Sequence, residues 1–323
     1  MKKILFSLFL AMTVNAAYAV GDEVTPGKLV ELNTIVAIVN EAPILQDTLD
    51  QRVNMVERQL ESRNIPLPPL DILKNQVLNQ LIQEQLQLQL AESRHIQIPQ
   101  AQVNEQLQKI ADQQKITIAE LYQQATLDGF TRDSYREQLQ DQMRIHELIQ
   151  TTIAAKIVIS PKDVTLYRNS QLSHATSGKE YRIENILIPL SASPTTQQIT
   201  EAEEKANKIL SEIKSGSIAF DQAAVRNSSG QFALEGGDLG FRPIAELPEI
   251  FAQFIVSMNP GDVYGPIRAG NGIQLIKLVE VKNNQQELTD EQIREALFKR
   301  KLEEAYPVWL ASLESQAYIE RKM

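Results

Sequence analysis

Glycine is confined to one part of this chain, and that confinement most narrows what the chain can fold into. Of 13 glycines in 323 residues, ten lie between Gly178 and Gly272, while Gly129 alone lies between Lys28 and Ser177. Glycine weakens a helix interior and is favoured where the backbone takes positive φ or passes close to another segment. Two architectures therefore share the chain: a long glycine-poor part suited to helices, and a glycine-rich part suited to turns and short strands.

The glycine-poor part reads in order. Ile35-Val36-Ala37-Ile38-Val39-Asn40 is a β-branched run ending at Asn40-Glu41-Ala42-Pro43, a strand followed by a turn. Leu45 to Ser62 carries Leu49, Val53, Val56 and Leu60 at helical spacing, and Pro66, Pro68 and Pro69 end the pattern. In the next helix Leu70, Leu73, Val77, Leu81 and Leu88 recur, with Leu78, Ile82 and Leu86 widening the stripe. So broad an apolar face implies packing on several neighbours. Further helices are expected after Pro99, at Thr117-Ile118-Ala119-Glu120 with its capping-box spacing, from Ser134, and at Ser160-Pro161-Lys162-Asp163. Gln83, Gln85, Gln87 and Gln89 read as an uncharged, solvated helix face. His95, His146 and His174 lack ligand-type spacing and read as surface or packing residues, so no metal is expected.

From Tyr181 the pattern changes. Residues 181–190 are extended, and Ile199, Ala202, Ala206, Ile209 and Ile213 then mark a helix stopped by Gly216. A short helix around Phe220, the Gly236-Gly237 pair and a helix from about Pro248 to Met258 follow. Val263 to Arg268 and Ile273 to Val281 are expected strands joined by Ala269-Gly270-Asn271-Gly272. This order describes a small α+β domain. Beyond Lys282 a helix begins at Thr289-Asp290-Glu291-Gln292, with Ile293, Leu297, Leu302 and Trp309 inward, and Ala317-Tyr318-Ile319-Glu320 reads as a last strand. Helix and strand are expected to pack back on the N-terminal helices.

The start of the chain bears on compartment. Lys2-Lys3, the apolar run Ile4 to Val14 and Ala17-Tyr18-Ala19 have the form of a cleavable signal peptide. The run is shorter than the roughly 20 residues a spanning helix needs. Export is therefore expected. There are no cysteines, which excludes disulfide and thiol chemistry, and a net charge of −9 removes the electrostatic basis for binding nucleic acid.

Glu184-Asn185-Ile186-Leu187, Gly236-Gly237-Asp238-Leu239-Gly240, Leu247-Pro248 with Phe251, and Gly265-Pro266 with Gly272-Ile273-Gln274 together resemble a parvulin-type (rotamase) prolyl isomerase domain. The wider chain is similar to the periplasmic chaperone SurA family. That likeness includes the strand Ile35–Asn40, the helix Leu70–Arg94, Leu127-Asp128-Gly129 with Tyr135-Arg136, and Ala317-Tyr318. The resemblance implies a multidomain α and α+β protein. Residues 1–19 would be the signal peptide and 20–177 a helical N-terminal chaperone domain. Residues 178–282 would be one inserted parvulin-like domain, and 283–323 a C-terminal helix and strand completing the helical module. Well-known family members carry two parvulin domains, and this chain has room for one.

Rotation about an X–Pro bond is slow because the amide has partial double-bond character. The resemblance implies an apolar pocket for the proline ring and a polar network, normally two histidines and a cysteine or aspartate. Here the histidine positions are Asn185 and Gln274, and the acid or thiol position falls at Gly230. The pocket positions Leu247 and Phe251 keep the expected types. Carboxamides exchange hydrogen bonds but do not titrate, so catalytic residues are degenerate and activity is expected to be weak or absent.

Two functions follow from the resemblance. One is a periplasmic, ATP-independent chaperone without cofactors, holding unfolded outer-membrane β-barrel proteins and aromatic-rich extended peptides, with the outer-membrane assembly machinery as a further partner. The alternative is an active parvulin-type isomerase on periplasmic clients.

Overall fold

The computed structural model describes residues 33–170, 176–191, 194–270, 272–283 and 287–323. The expected signal peptide, His174 and Asn271 lie outside the described residues. Thr34–Met323 form one unit by their contacts.

Its first layer is a small sheet made by both ends of that unit. β1 (Ile35–Val39) is followed by β2 (Ala42–Leu45), and the C-terminal β7 (Ile319–Arg321) adds to the other side of β1. The order is β2-β1-β7, antiparallel throughout, with Val39 opposite Ile319 and Ala37 opposite Arg321. Asn40 turns the hairpin at φ +54°, a conformation Asn tolerates better than most residues. Its side chain also ties three elements, donating to Gln89 Oε1 at 2.7 Å and accepting from the Tyr318 amide at 3.0 Å. The turn was expected, but β2 was not. It is four residues long and contains Pro43, which only an edge strand accommodates.

Five helices follow: α1 (Gln46–Ser62), α2 (Leu70–Ser93), α3 (Gln100–Gln114), α4 (Ile118–Leu127) and α5 (Arg132–Thr152), with α6 at Pro161–Arg168. α1 and α2 bury Leu49, Val53, Leu60, Leu73, Val77 and Leu78 against β1 in one core. Leu313, Ala317 and Ile319 from the far end of the chain pack on that core. Val103, Leu107, Leu121 and Leu139 form a separate cluster holding α3, α4 and α5 together. α5 starts earlier than expected. Thr131 caps it by accepting from the Ser134 amide, and Ser134 Oγ accepts from the Thr131 amide, so Ser134 is the third helical residue and not the first. The capping boxes at Thr117–Glu120 and Ser160–Asp163 sit where expected.

The α+β part comprises β3 (Lys179–Pro189), α7 (Thr196–Lys214), α8 (Phe220–Asn227), β4 (Asp238–Pro243), α9 (Glu249–Ile255), β5 (Val263–Ala269) and β6 (Gly272–Asn283). Its sheet runs β4-β3-β6-β5, all antiparallel. Side chains alternate between faces along a strand. Ile186, Ile188, Ile273 and Leu275 meet α7 and α8 on one face, while Ile183, Ile276 and Leu278 meet α9 on the other. β4 was not expected, because its glycine-rich sequence lacks strand alternation, and all six of its residues are only partly buried. α9 ends at Ile255, short of the expected Met258.

The last helix, α10 (Asp290–Ser315), begins with a Thr289–Gln292 capping box and carries Pro307 inside it. It returns the chain from the α+β part to the first sheet. Arg242 on β4 meets its Glu303, and the Glu249 amide at the start of α9 donates to Glu304 Oε1 at 3.3 Å. Arg63, after α1, reaches the carbonyl and carboxylate of Glu235 at 3.3 and 3.1 Å.

Candidate functional site

Period-two alternation decides where the candidate polar residues point. Asn185 on β3 and Gln274 on β6 lie on the face shared with α9. Leu187 is the direct partner of Gln274, which makes Asn185 its diagonal neighbour. Their side chains meet: Asn185 Nδ2 donates to Gln274 Oε1 at 2.6 Å and to the Leu275 carbonyl at 3.2 Å. Gln274 is 6% exposed. Gly230 is the third corner, since a Cβ built there would lie 3.7 Å from Asn185 Oδ1 and 3.2 Å from Ser228 Oγ. All three sequence-predicted polar positions therefore converge, and none carries a titratable group.

Ser228 was not foreseen. Its hydroxyl is fully buried and accepts from the Leu187 amide at 3.0 Å and the Gly230 amide at 3.1 Å. No spacing marks it in the sequence, because its role depends on β3 lying alongside the loop. Ser228→Ala is expected to lower stability by about 2 kcal/mol, since two amides lose their acceptor and buried orphans cost about 1–3 kcal/mol. Urea denaturation reads this directly, and a loss below about 0.5 kcal/mol would show that the loop re-pairs without the hydroxyl.

The apolar positions separate. Phe251 is 4% exposed and lines a cavity, whereas Leu247 is fully buried among Tyr181, Ile183, Ile244 and Ile276. Leu247 sits in the core behind the wall and supports Phe251 from there.

That cavity has a volume of about 910 Å³, at the upper end of the roughly 300–1,000 Å³ usual for ligand sites. Its walls come from distant parts of the chain: α2, α5, β3, the loop around Gly230, α9 and α10. Gln83 and Gln87 are on its wall, and Gln87 is 5% exposed, which corrects the reading of these glutamines as a solvated face. Gln83 Nε2 donates to Glu314 Oε1 at 2.8 Å, and Gln87 Oε1 accepts from the Tyr306 hydroxyl at 3.2 Å. Burial pushes the Tyr306 phenol up, so it remains a donor at neutral pH. Helical periodicity placed these glutamines opposite the apolar stripe, but it did not reveal that α10 and the α+β part close over them.

Two ion-pair groups stand at the cavity, while the Glu249 and Glu304 carboxylates on its wall have no ion-pair partner among the described residues. Arg52 pairs with Glu84 at 3.1 Å, and Arg242, 13% exposed in its side chain, joins Glu303 and lies 3.8 Å from Glu246. Burial raises the Glu303 pKa and Arg242 opposes that rise. Asp238 serves structure: burial would raise its pKa, but Arg182 and the Gly240 amide outweigh that and hold it below the usual value. His95 and His146 are exposed. Among the described residues no His, Asp and Glu side chains cluster as metal ligands, and no helix is long and apolar enough to cross a membrane.

Comparison with known proteins matches residues 32–149 to the SurA N-terminal domain and residues 186–280 to the PPIC-type PPIase domain. The Chaperone SurA of Legionella pneumophila is 37% identical over 270 residues, covering 83% of this chain and 63% of the relative. The Chaperone SurA of Xylella fastidiosa is 36% identical over 253 residues, covering 78% of this chain and 54% of the relative. The chain thus spans less than two thirds of the length of either. Among solved structures, one chain from work on two SurA-like chaperones of Campylobacter jejuni matches at TM-score 0.41 and 13% identity, over 90% of this chain and 99% of that one.

Proposed function

From the match of residues 32–149 to the SurA N-terminal domain and of residues 186–280 to the PPIC-type PPIase domain, we propose that this chain is a SurA-family chaperone that holds unfolded client segments in the cavity between its helices and its parvulin-like domain. The carrying observation is that the degenerate isomerase face opens into that cavity, with Phe251 and the Asn185–Gln274 pair on one wall and α2 and α10 on another. A wall with an apolar anchor and uncharged polar groups binds chain segments without doing chemistry on them. Clients are proposed to be outer-membrane β-barrel proteins, whose strands alternate apolar and polar residues, and aromatic-rich extended peptides. The working compartment is proposed to be the periplasm.

The isomerase reading keeps one observation in its favour, the match of residues 186–280 to PPIC-type domains. Against it, an X–Pro barrier of about 18–20 kcal/mol needs stabilisation of the twisted amide, and preorganised electrostatics usually contributes most of such stabilisation. Asn185, Gln274 and Gly230 present no charge.

One preparation tests both. Stoichiometric protein is expected to slow aggregation of an unfolded barrel protein diluted from urea, while cis–trans exchange of a proline peptide followed by NMR stays at the uncatalysed rate. Unchanged aggregation would sink the chaperone reading. Exchange accelerated a hundredfold would restore the enzyme.

A further inference from the structure

The cavity wall is unusually rich in one side-chain type. Seven lining residues are glutamine, supplied by α2, α5, the loop before Gly236, α9 and β6. Four of them, Gln80, Gln142, Gln231 and Gln253, make no side-chain hydrogen bond to any described residue. They stand on four separate elements around the same space. Arg52 and Glu303 on that wall are engaged in ion pairs on the protein itself, whereas Glu304 accepts only the Glu249 amide and the Glu249 carboxylate has no ion-pair partner among the described residues.

A carboxamide carries one C=O and one NH₂, the same acceptor and donor chemistry as a peptide group. An extended segment without a sheet partner presents an unpaired N–H and C=O at each residue, about 3.3 Å apart along the chain, and burying them unpaired is unfavourable. Glutamine has three side-chain torsions before its amide, so several glutamines adapt to a main chain whose side chains vary. Charged side chains would select the opposite charge and weaken as salt screens them. Neutral amides do neither. Ile145, Leu187, Phe232 and Phe251 on the same wall give apolar client side chains a surface.

We infer that this cavity recognises the main chain of an extended polypeptide through its free glutamine carboxamides, and that its affinity for an uncharged segment is therefore nearly independent of salt. The inference rests on the chaperone reading and names what that site recognises.

The test uses the full chain and two fluorescent peptides of one sequence, alternating apolar and uncharged polar residues. One has ordinary amides; in the other, alternate amides are replaced by esters, which removes N–H donors and weakens the carbonyl acceptors. Anisotropy titration is expected to show the ester peptide binding about tenfold weaker, and the amide peptide changing less than about twofold between low and high salt. The double variant Gln80→Leu, Gln253→Leu removes two of the four carboxamides and is expected to reduce the amide-over-ester preference at least threefold. Equal binding of both peptides by the unaltered protein, a tenfold salt effect, or an undiminished preference in the folded double variant would each overturn main-chain recognition here. Should the double variant not fold, the peptide pair on the unaltered protein still decides. Binding of neither peptide would instead count against client holding in the cavity as a whole.

Discussion

A chain ended at Leu288 is expected to lose the tertiary structure of its N-terminal helices, and not simply shed an appendage. The missing part supplies β7, and without it β1 and β2 are a lone hairpin, which is marginal in water. Leu313, Ala317 and Ile319 leave the core formed by α1, α2 and β1, and the buried Leu310, 8% exposed, is removed as well. Fully burying a large aliphatic side chain contributes about 1.5–3 kcal/mol, so these partly buried residues together contribute several. Polar losses add to this: Gln87 loses the Tyr306 hydroxyl, Gln83 loses Glu314, and Asn40 loses the Tyr318 amide. Domain stability is only about 5–15 kcal/mol, so the sum consumes most of it. Near-UV circular dichroism and thermal melting read the outcome. Cooperative melting of the truncated chain within a few degrees of the full chain would show that the N-terminal helices stand alone.

Gly237→Ala is expected to lower stability by about 3–4 kcal/mol, at the severe end for a single methyl group. Two effects combine. Gly237 has φ +78°, where an L-residue is less stable by about 1–2 kcal/mol. Its added Cβ would also lie 2.3 Å from the Asn185 carbonyl oxygen, a backbone atom that no rotamer change moves. The Gly237 carbonyl accepts the Asn185 amide at 2.9 Å, so relief requires parting the loop from β3. Gly240→Ala separates the two effects. It has φ +72° and nothing within 4 Å of the new atom, so only the conformational part remains, about 1 kcal/mol. Paired urea titrations check the difference, and equal losses at both positions would refute the steric argument. Because the clash falls on Asn185, Gly237→Ala is also expected to disturb the Asn185–Gln274 pair.

Interactions that close within a few residues were legible before any coordinates. Thr117–Glu120, Ser160–Asp163 and Thr289–Gln292 each cap a helix across three positions. The apolar stripe of α2 announced its buried side at Leu73, Val77 and Leu81. β2 and β4 escaped because their strand character comes from a neighbour, β1 in one case and β3 in the other, and not from their own alternation. Ser228 escaped for the same reason, as its value lies in two amides brought to it by folding.

The same division holds for the site. The sequence alone determined that positions 185, 230 and 274 hold asparagine, glycine and glutamine, none of which titrates, and that glycine segregates into one part of the chain. Residue identity is local information and needs no fold. Only the tertiary structure decided that the two carboxamides join at 2.6 Å, that Leu247 stands behind the wall while Phe251 is part of it, and that the glutamines of α2 face a cavity instead of solvent. Those outcomes depend on α10 crossing back over residues more than 200 positions earlier, as in the bonds from Gln83 to Glu314 and from Tyr306 to Gln87. A helix face shows its polarity in its own spacing. What covers that face is set by contacts between distant segments, and no local period encodes them.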